Sequence, residues 1–180
     1  MMIALRTTLF TLVLTGFLYP LAATGVAQVL FSRKANGSLA HDERGTVVGS
    51  ELIAQGFTGA GYLQPRPSAN QYDAANSGGS NLGPSSKVLH DRVAKSVDDV
   101  VKENPDAIGP VDAELVTASA SGLDPHLSPA AALWQAPRIA RARHISEERV
   151  RAVIEAHIES APPRVNVLLA NLALDRQFGR

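Results

Sequence analysis

The sequence predicts an α+β protein, in which one N-terminal transmembrane helix precedes a single extracytoplasmic domain with a small sheet and several helices. Three observations support this fold class. An uncharged, largely apolar stretch runs from residue 7 to residue 32. Beyond it, β-type runs are few and short, and helical patterns follow one another in blocks, as is typical of α+β folds. The 180 residues suffice for one domain of ordinary size, but not comfortably for two.

The composition excludes several classes of function. Lys plus Arg equals Asp plus Glu, at 17 each, so no overall charge indicates a nucleic-acid or acidic partner. Only 5% of the residues are aromatic, which argues against a base-stacking surface. The chain contains no cysteine, and this excludes disulfides, zinc-thiolate sites and a thiol nucleophile.

The uncharged stretch is long enough to cross a membrane. As a helix, it would extend ~39 Å at 1.5 Å per residue, whereas the hydrocarbon core is about 30 Å thick. We expect a tilt or a bend at Pro20, whose missing N–H leaves a carbonyl that neighbouring helices would cover. The predicted organisation is a short cytoplasmic N-terminus (residues 1–6), a transmembrane helix (7–32) and an extracytoplasmic domain (33–180).

A cleaved signal peptide is the alternative interpretation of the same stretch. Residues 9–18 would be its apolar core, and Gly25-Val26-Ala27 its cleavage site. We favour the retained helix because residues 28–31 extend the apolar run past that site. Positive charges flank both ends, so they barely indicate the orientation. Both interpretations export the C-terminal domain.

The first part of the domain is predicted to be irregular. Residues 33–45 are polar and predict a linker, and residues 46–48 and 50–53 predict two strand fragments separated by Gly49. Residues 56–84 predict a long loop, ordered by the apolar anchors Tyr62, Leu63 and Tyr72. An amphipathic helix is predicted from Pro84 to residue 104. Residues 111–118 predict a buried strand.

The C-terminal part carries strong helix signals. Ser128 and Pro129 are typical of a helix N-terminus, and Pro137 should restart that helix. Ser146 should cap the next helix, which has an apolar face. Pro162 and Pro163 break the chain, and the segment 165–174 is predicted to be helical from residue 166.

Two motifs resemble catalytic or ligand loops without meeting their requirements. Gly78 and Gly83 have the spacing of a phosphate-binding loop, but Pro84 stands where its lysine should be, so a plain turn is favoured. A second group could form a triad or metal cluster, yet its members lie too close in sequence to converge. We predict a capped turn there. That group consists of Ser119, Ser121, Asp124 and His126.

Two further features lie on the predicted helices. Five arginines form a local basic patch, which could mimic a DNA-binding helix-turn-helix in an otherwise neutral chain. Trp134 is predicted to be core, and Gln135 to be a hydrogen bonder or a ligand contact. The arginines are Arg138, Arg141, Arg143, Arg149 and Arg151.

Four separated motifs, in this order, resemble one known family: YLQPRPSA (62–69), SGGSNLGPS (77–85), LVTASASGLDPHLSPAAALWQAPRIARAR (115–143) and PRVNVLLANLALD (163–175). With the N-terminal span, they are similar to the C subunit of the bacterial high-affinity potassium-transporting P-type ATPase, the KdpC family. The resemblance covers nearly the whole chain.

The resemblance implies a single-pass subunit of the bacterial inner membrane, with its domain outside the cytoplasm. The implied partners are a potassium-binding channel-like subunit, an ATP-hydrolysing P-type subunit, a small membrane peptide and membrane lipid, and no nucleic acid. The chain lacks the DKTG phosphorylation motif, as expected for a subunit that is not an enzyme by itself.

The resemblance also implies a role. The family is described as a catalytic chaperone that raises the ATP affinity of the hydrolysing subunit, with the glutamine of the AxWQxPR segment, here Gln135, as the nucleotide contact. ATP would then bind only in the complex, and we expect neither a cofactor nor a metal on the isolated chain. The alternatives are a structural cap over the potassium entrance of the channel-like subunit, or a signal-cleaved periplasmic binding or scaffold protein.

Overall fold

The computed structural model describes residues 1–179, which form two compact units, one from Met1 to Leu39 and one from Ala40 onward. The first unit consists mainly of a long apolar helix. The second unit contains short strands, the remaining helices and the hydrophobic core. The α+β fold class predicted from the sequence is therefore confirmed.

The N-terminal helix extends from Met2 to Leu30, and none of its residues is buried. It consists of α1 (Met2–Val13), a π-helical turn (Leu14–Leu18) and α2 (Tyr19–Leu30). The wider turn ends two residues before Pro20, which has no N–H for a regular helical bond. The length and composition of the helix suffice to cross a bilayer, and a signal sequence would share both properties.

Within the described residues, the second unit contains two small sheets and five helices. Its first strand begins at residue 39, the last residue of the first unit. The strands β1 (Leu39–His41) and β2 (Val47–Ser50) pair with each other. The second sheet consists of β3 (His126–Leu127), β4 (Ile158–Ser160) and β5 (Pro163–Asn166), which are antiparallel in the order β3-β5-β4. A short helix, α3 (Ser32–Ala35), belongs to the first unit. The elements are β1 (Leu39–His41), β2 (Val47–Ser50), α4 (Lys87–Glu103), a 3₁₀ turn (Ala113–Leu115), β3 (His126–Leu127), α5 (Pro129–Trp134), α6 (Ala136–Arg143), α7 (Glu147–Ala156), β4 (Ile158–Ser160), β5 (Pro163–Asn166) and α8 (Val167–Phe178).

The core lies among α5 to α8 and the three-stranded sheet. Small residues of α5 and α6 allow these helices to pack closely on α7, which in turn packs on α8. Leu63, in the long loop after β2, is fully buried in this core. The other fully buried apolar side chains include Leu127, Ile139, Val150, Ile154, Val165 and Leu174.

The predicted helix starts of the C-terminal part are confirmed. The Ser128 hydroxyl accepts the N–H of Ala131, with Pro129 as the first helical residue. Helix α6 restarts next to Pro137, and Ser146 is the N-cap residue of α7, although its side chain makes no capping bond to a backbone N–H. Helix α8 begins after Asn166, whose side chain accepts the N–H of Leu169.

The predicted strand over residues 111–118 is wrong. Asp112 accepts the N–H of Glu114 through its carboxylate, which nucleates the 3₁₀ turn, and the Thr117 hydroxyl bonds back to the Ala113 carbonyl. These local side-chain bonds offer the backbone an alternative to pairing in a sheet. The apolar residues that suggested a strand, Leu115 and Val116, lie at the end of this turn, and both are buried.

Several boundaries before α4 also differ from the predictions. Gly49 lies inside β2 and does not separate two strands, and residues 51–53 form a turn held by Ser50. The predicted linker contains most of α3 and all of β1. Helix α4 begins at Lys87 and not at Pro84, because the Ser86 hydroxyl caps it by accepting the N–H of Leu89. The strands β4 and β5 were not predicted from the sequence.

Candidate functional site

Residues 60–64 form a strap that is held against the helical core by buried polar side chains. The strap lies in the long loop between β2 and α4 and belongs to no helix or strand. Side chains from α6, α8 and the junction between α5 and α6 bind its backbone. The loop is therefore ordered, as predicted, and Leu63 is its anchor in the core.

Gln135, the residue predicted to contact nucleotide, binds the strap. It lies between α5 and α6 and is only 1% exposed. Its amide oxygen accepts the Gln64 N–H at 2.9 Å, and its amide nitrogen donates to the Gln64 carbonyl at 3.1 Å. The same oxygen accepts a bond from Arg138 at 2.7 Å. Within this chain, the amide is therefore fully satisfied, and a ligand could reach it only if the strap moved.

Arg138 is the centre of the hydrogen-bond network below the strap. Its guanidinium donates to the Asn104 side-chain oxygen at 2.8 Å and to the Ala60 carbonyl at 2.6 Å, in addition to Gln135. Burial lowers the pKa of Arg138 to about 10, and the nearby carboxylate of Glu103 opposes this shift. The side chain thus stays charged at neutral pH, with its charge dispersed over three acceptors.

Asn171 of α8 binds the preceding residue of the strap, Leu63, in the same way. Its side-chain oxygen accepts the Leu63 N–H at 2.7 Å, and its nitrogen donates to the Leu63 carbonyl at 2.9 Å. Asn171 and Gln135 thus satisfy both backbone groups of two consecutive strap residues. A buried loop requires such partners, because its backbone groups have no water to bind.

Arg143 and Asp175 hold the front of the strap. Their ion pair measures 2.7 Å and is largely buried, with 7% and 14% of the side chains exposed. Arg143 also donates to the Gly61 carbonyl at 2.6 Å and lies 4.8 Å from the centre of the Tyr62 ring. The Tyr62 hydroxyl donates to Asp175 at 3.2 Å.

The predicted basic patch is wrong. Arg138 and Arg143 are turned into the protein, where each binds a carbonyl of the strap. Arg141 is paired with Asp106, and Arg151 with Glu147. The side chains that looked like one charged surface in the sequence therefore serve separate contacts, and those of Arg138 and Arg143 are internal.

The group around Asp124 forms a local turn, in agreement with the favoured prediction. Asp124 accepts the N–H of His126 at 3.1 Å and pairs with Arg66 at 3.3 Å. The hydroxyls of Ser119 and Ser121 are 3.4 Å apart, and Ser121 accepts the Leu123 N–H. His126 lies on β3, a strand that was not predicted. Within residues 1–179, no group of three His, Cys, Asp or Glu side chains could hold a metal ion.

The glycine-rich segment that resembled a phosphate loop packs on this turn. The Gly78 N–H donates to the Ser121 carbonyl at 2.8 Å. A Cβ atom on Gly79 would lie 2.9 Å from the Ala120 carbonyl oxygen, so only glycine fits this approach. Helix α4 starts at Lys87, four residues after Gly83, and not at the end of a phosphate-type loop. The favoured interpretation as a turn agrees with this packing.

Sequence reasoning selected Gln135 but missed Arg138 and Asn171 as its companions. Asn171 stands alone among the apolar residues of α8, and a polar residue in such a position signals a buried hydrogen bond. Arg138 follows Gln135 by three residues and thus shares its helix face, although it was assigned to the basic patch. The sequence thus contained a signal for Asn171 and for Arg138, but neither signal shows which group the side chain binds.

The motifs that carried the resemblance meet at these contacts. The strap lies largely in the first motif, Gln135 and Arg138 in the third, and Asn171 and Asp175 in the fourth. The second motif packs on the turn at Ser121. Contacts between distant segments thus account for residues that have no local structural role.

Comparisons with known proteins agree with this pattern. The family model described as KdpC, the c chain of the K⁺-transporting ATPase, matches residues 1–176. A potassium-transporting ATPase KdpC subunit of Myxococcus xanthus is 61% identical over 98% of this chain and 87% of its own length. Its counterpart in Rhodospirillum rubrum is 53% identical over 92% and 89%, and that of Methylobacterium nodulans 51% identical over 93% and 92%. The chain thus belongs to the KdpC family, the c chains of K⁺-transporting ATPases.

Proposed function

We propose that this chain is an accessory, non-catalytic subunit of an ATP-driven potassium uptake pump, and that it stabilises the assembled pump. The match to the family over residues 1–176 carries the proposal. The apolar helix Met2–Leu30 supports a membrane-bound subunit. The buried polar side chains bind the chain's own strap, as expected for a rigid structural domain.

The proposed arrangement is a retained N-terminal anchor with the domain outside the cytoplasm of a bacterial inner membrane. The proposed partners are the channel-like potassium-binding subunit, the ATP-hydrolysing P-type subunit, the small membrane peptide and surrounding lipid. An intact mass that includes residues 1–27 in the membrane fraction would support the anchor. A mass that corresponds to a chain beginning at Gln28 would favour the signal-cleaved scaffold protein instead.

Deletion tests the main proposal. Cells that lack this chain should not grow at micromolar potassium, and the remaining subunits should not co-purify as a stable pump. Re-expression of the full chain should restore both properties. Normal growth together with intact assembly in the deletion strain would contradict the proposed function.

The second candidate role is that of a catalytic chaperone for ATP. In this role, Gln135 contacts the nucleotide held by the hydrolysing subunit and thereby raises its ATP affinity. Because the Gln135 amide is satisfied by Gln64 and Arg138, this contact requires the strap to lift. The competing role, a cap over the potassium entrance, requires no such movement.

Paired variants distinguish a nucleotide contact from a structural bond. Gln135→Ala and Asn171→Ala each remove two hydrogen bonds to the strap backbone, but only the first removes the proposed contact. If Gln135 binds nucleotide, Gln135→Ala raises the ATP concentration for half-maximal activity of the assembled pump, and Asn171→Ala does not. An equal shift in both variants, or none in either, would assign Gln135 to strap binding alone.

A further inference from the structure

A surface groove of about 360 Å³ lies between helix α4 and the loop that contains the strap. This volume falls within the roughly 300–1,000 Å³ of typical ligand pockets. Its apolar lining comes from both sides of the groove. These apolar residues are Phe57, Pro65, Pro67, Tyr72, Val100 and Leu115.

The Tyr72 ring forms a rigid wall of this groove. Its backbone has a φ of 59°, as has that of Gln71, a left-handed conformation that is unusual for such residues. The Ser68 hydroxyl accepts the Tyr72 N–H at 2.9 Å, and the Tyr72 hydroxyl donates to the Arg66 carbonyl at 2.9 Å. Strained residues fixed in this way are frequent at binding sites. The wall is thus set before any partner arrives.

Two carboxylates stand on the α4 side of the groove. Asp99 and Glu103 are one helical turn apart, and both line the groove. Asp99 pairs with Lys95 at 3.2 Å, but both side chains are mostly exposed, so this pair is weak and easily exchanged. Glu103 accepts a neutral amide bond from Gln64 at 3.1 Å. Among the described residues that line the groove, none is a lysine or an arginine.

We propose that this groove binds an arginine or lysine side chain on an extended segment of another subunit of the pump. The proposal rests on the proposed function, since it requires an assembled pump. Charge complementarity selects the occupant: two adjacent carboxylates attract a cation and repel an anionic ligand. The aromatic ring of Tyr72 lines the same groove and favours the same cation, and the prolines and Val100 would contact its aliphatic stem.

The groove and the strap share one residue, Gln64. Gln64 joins the two, since its backbone binds Gln135 and its side chain binds Glu103. The strap fixes the position of Gln64, and Gln64 in turn orients one of the two carboxylates. The groove therefore requires an intact strap, but it offers the accessible charges that the strap lacks.

Neutralising the two carboxylates tests the charge requirement. The purified, affinity-tagged pump is washed with increasing NaCl, and the retained partner subunits are quantified. Exposed pairs weaken with salt, so the double variant Asp99→Asn/Glu103→Gln should release its partners at about half the NaCl concentration that the wild type withstands, or less. The control Asp98→Asn removes an exposed carboxylate that does not line the groove, and it should match the wild type.

The identity of the occupant is tested by photocrosslinking from the Tyr72 wall. With p-benzoylphenylalanine in place of Tyr72, illumination of the purified pump should link this chain to a lysine- or arginine-bearing segment of another subunit. A crosslink to a second copy of this chain, to lipid, or to a segment without a basic residue would overturn the proposal. Equal salt resistance of the double variant and the wild type would also overturn it, whereas failure of wild-type assembly would instead refute the proposed function.

Discussion

The strap and one wall of the groove belong to the same long loop, yet the two sites use polar groups in opposite ways. In the strap, Gln135, Arg138 and Asn171 are buried and bind backbone groups of their own chain. At the groove, Asp99 and Glu103 remain exposed, beside an aromatic ring held in a strained backbone. Buried and satisfied polar groups specify one packing, whereas accessible charges beside a rigid wall can still bind a partner.

The largest expected effect comes from breaking the strap network at Arg138. Arg138→Ala leaves the Asn104 oxygen and the Ala60 carbonyl without their donor, so it should lower the free energy of unfolding by about 3–5 kcal/mol. Denaturant unfolding of the full chain in detergent, followed by the fluorescence of Trp134, the only tryptophan, measures this change.

Arg141→Ala is the matched control on the same helix. Arg141 is half-exposed and pairs with the half-exposed Asp106, so its loss should cost less than about 1 kcal/mol. Similar losses in both variants would mean that burial of the Arg138 network does not dominate the stability of the strap.

A smaller effect on stability is expected from Tyr72 in the groove wall. The pH dependence of this effect shows whether it comes from the Tyr72 hydroxyl. Tyr72→Phe removes the hydroxyl bond to the Arg66 carbonyl, at a cost of about 1 kcal/mol at neutral pH. Burial raises the pKa of Tyr72 above its ordinary value of 10.0. The folded state therefore retains this proton longer than the unfolded state, and the contribution is present below pH 10 and is lost as pH rises through the folded pKa.

Unfolding of the wild type and of Tyr72→Phe at a series of pH values tests this sign. The stability difference between them should be constant up to about pH 10 and then fall. A difference that grows above pH 10 would contradict a protonated Tyr72 in the folded groove.

The smallest effect should come from relieving the backbone strain beside Tyr72. Gln71 is exposed and has a φ of 59°, where an L-residue costs about 1–2 kcal/mol. Gln71→Gly removes this cost at an entropic penalty of about 0.5–1 kcal/mol, so it should stabilise the fold by about 0.5–1 kcal/mol. Gln177→Gly, at an exposed position near the end of helix α8, is the control and should destabilise by up to about 1 kcal/mol. A destabilised Gln71→Gly would show that the turn stores no strain.

The accuracy of the sequence predictions follows the range of the interactions behind them. The helix starts at Ser128 and Asn166 were predicted well because a cap is a bond between residues three apart. The strand predicted over residues 111–118 failed because the carboxylate of Asp112 favoured a turn that apolar patterning does not reveal. Strands β4 and β5 were missed because they are short and pair only with each other and with β3.

The candidate site shows the same limit. Gln135 was selected as a hydrogen bonder or a ligand contact, and the structure shows where its bonds go: to Gln64, 71 residues earlier. The five arginines near it looked like one basic patch, but helix geometry directs Arg138 and Arg143 inward, to the strap. The placement of the domain outside the cytoplasm and the contact of Gln135 with nucleotide stay predictions.

The sequence by itself determined the apolar N-terminal helix, the α+β class, the helix starts at Ser128 and Asn166 and the family, because these depend on composition, local spacing and motif order. Only the tertiary structure decided that distant motifs meet on one strap, and that a groove with two carboxylates opens beside it. The physical reason is that a buried polar side chain must find a partner, and sequence distance does not restrict where the fold supplies one.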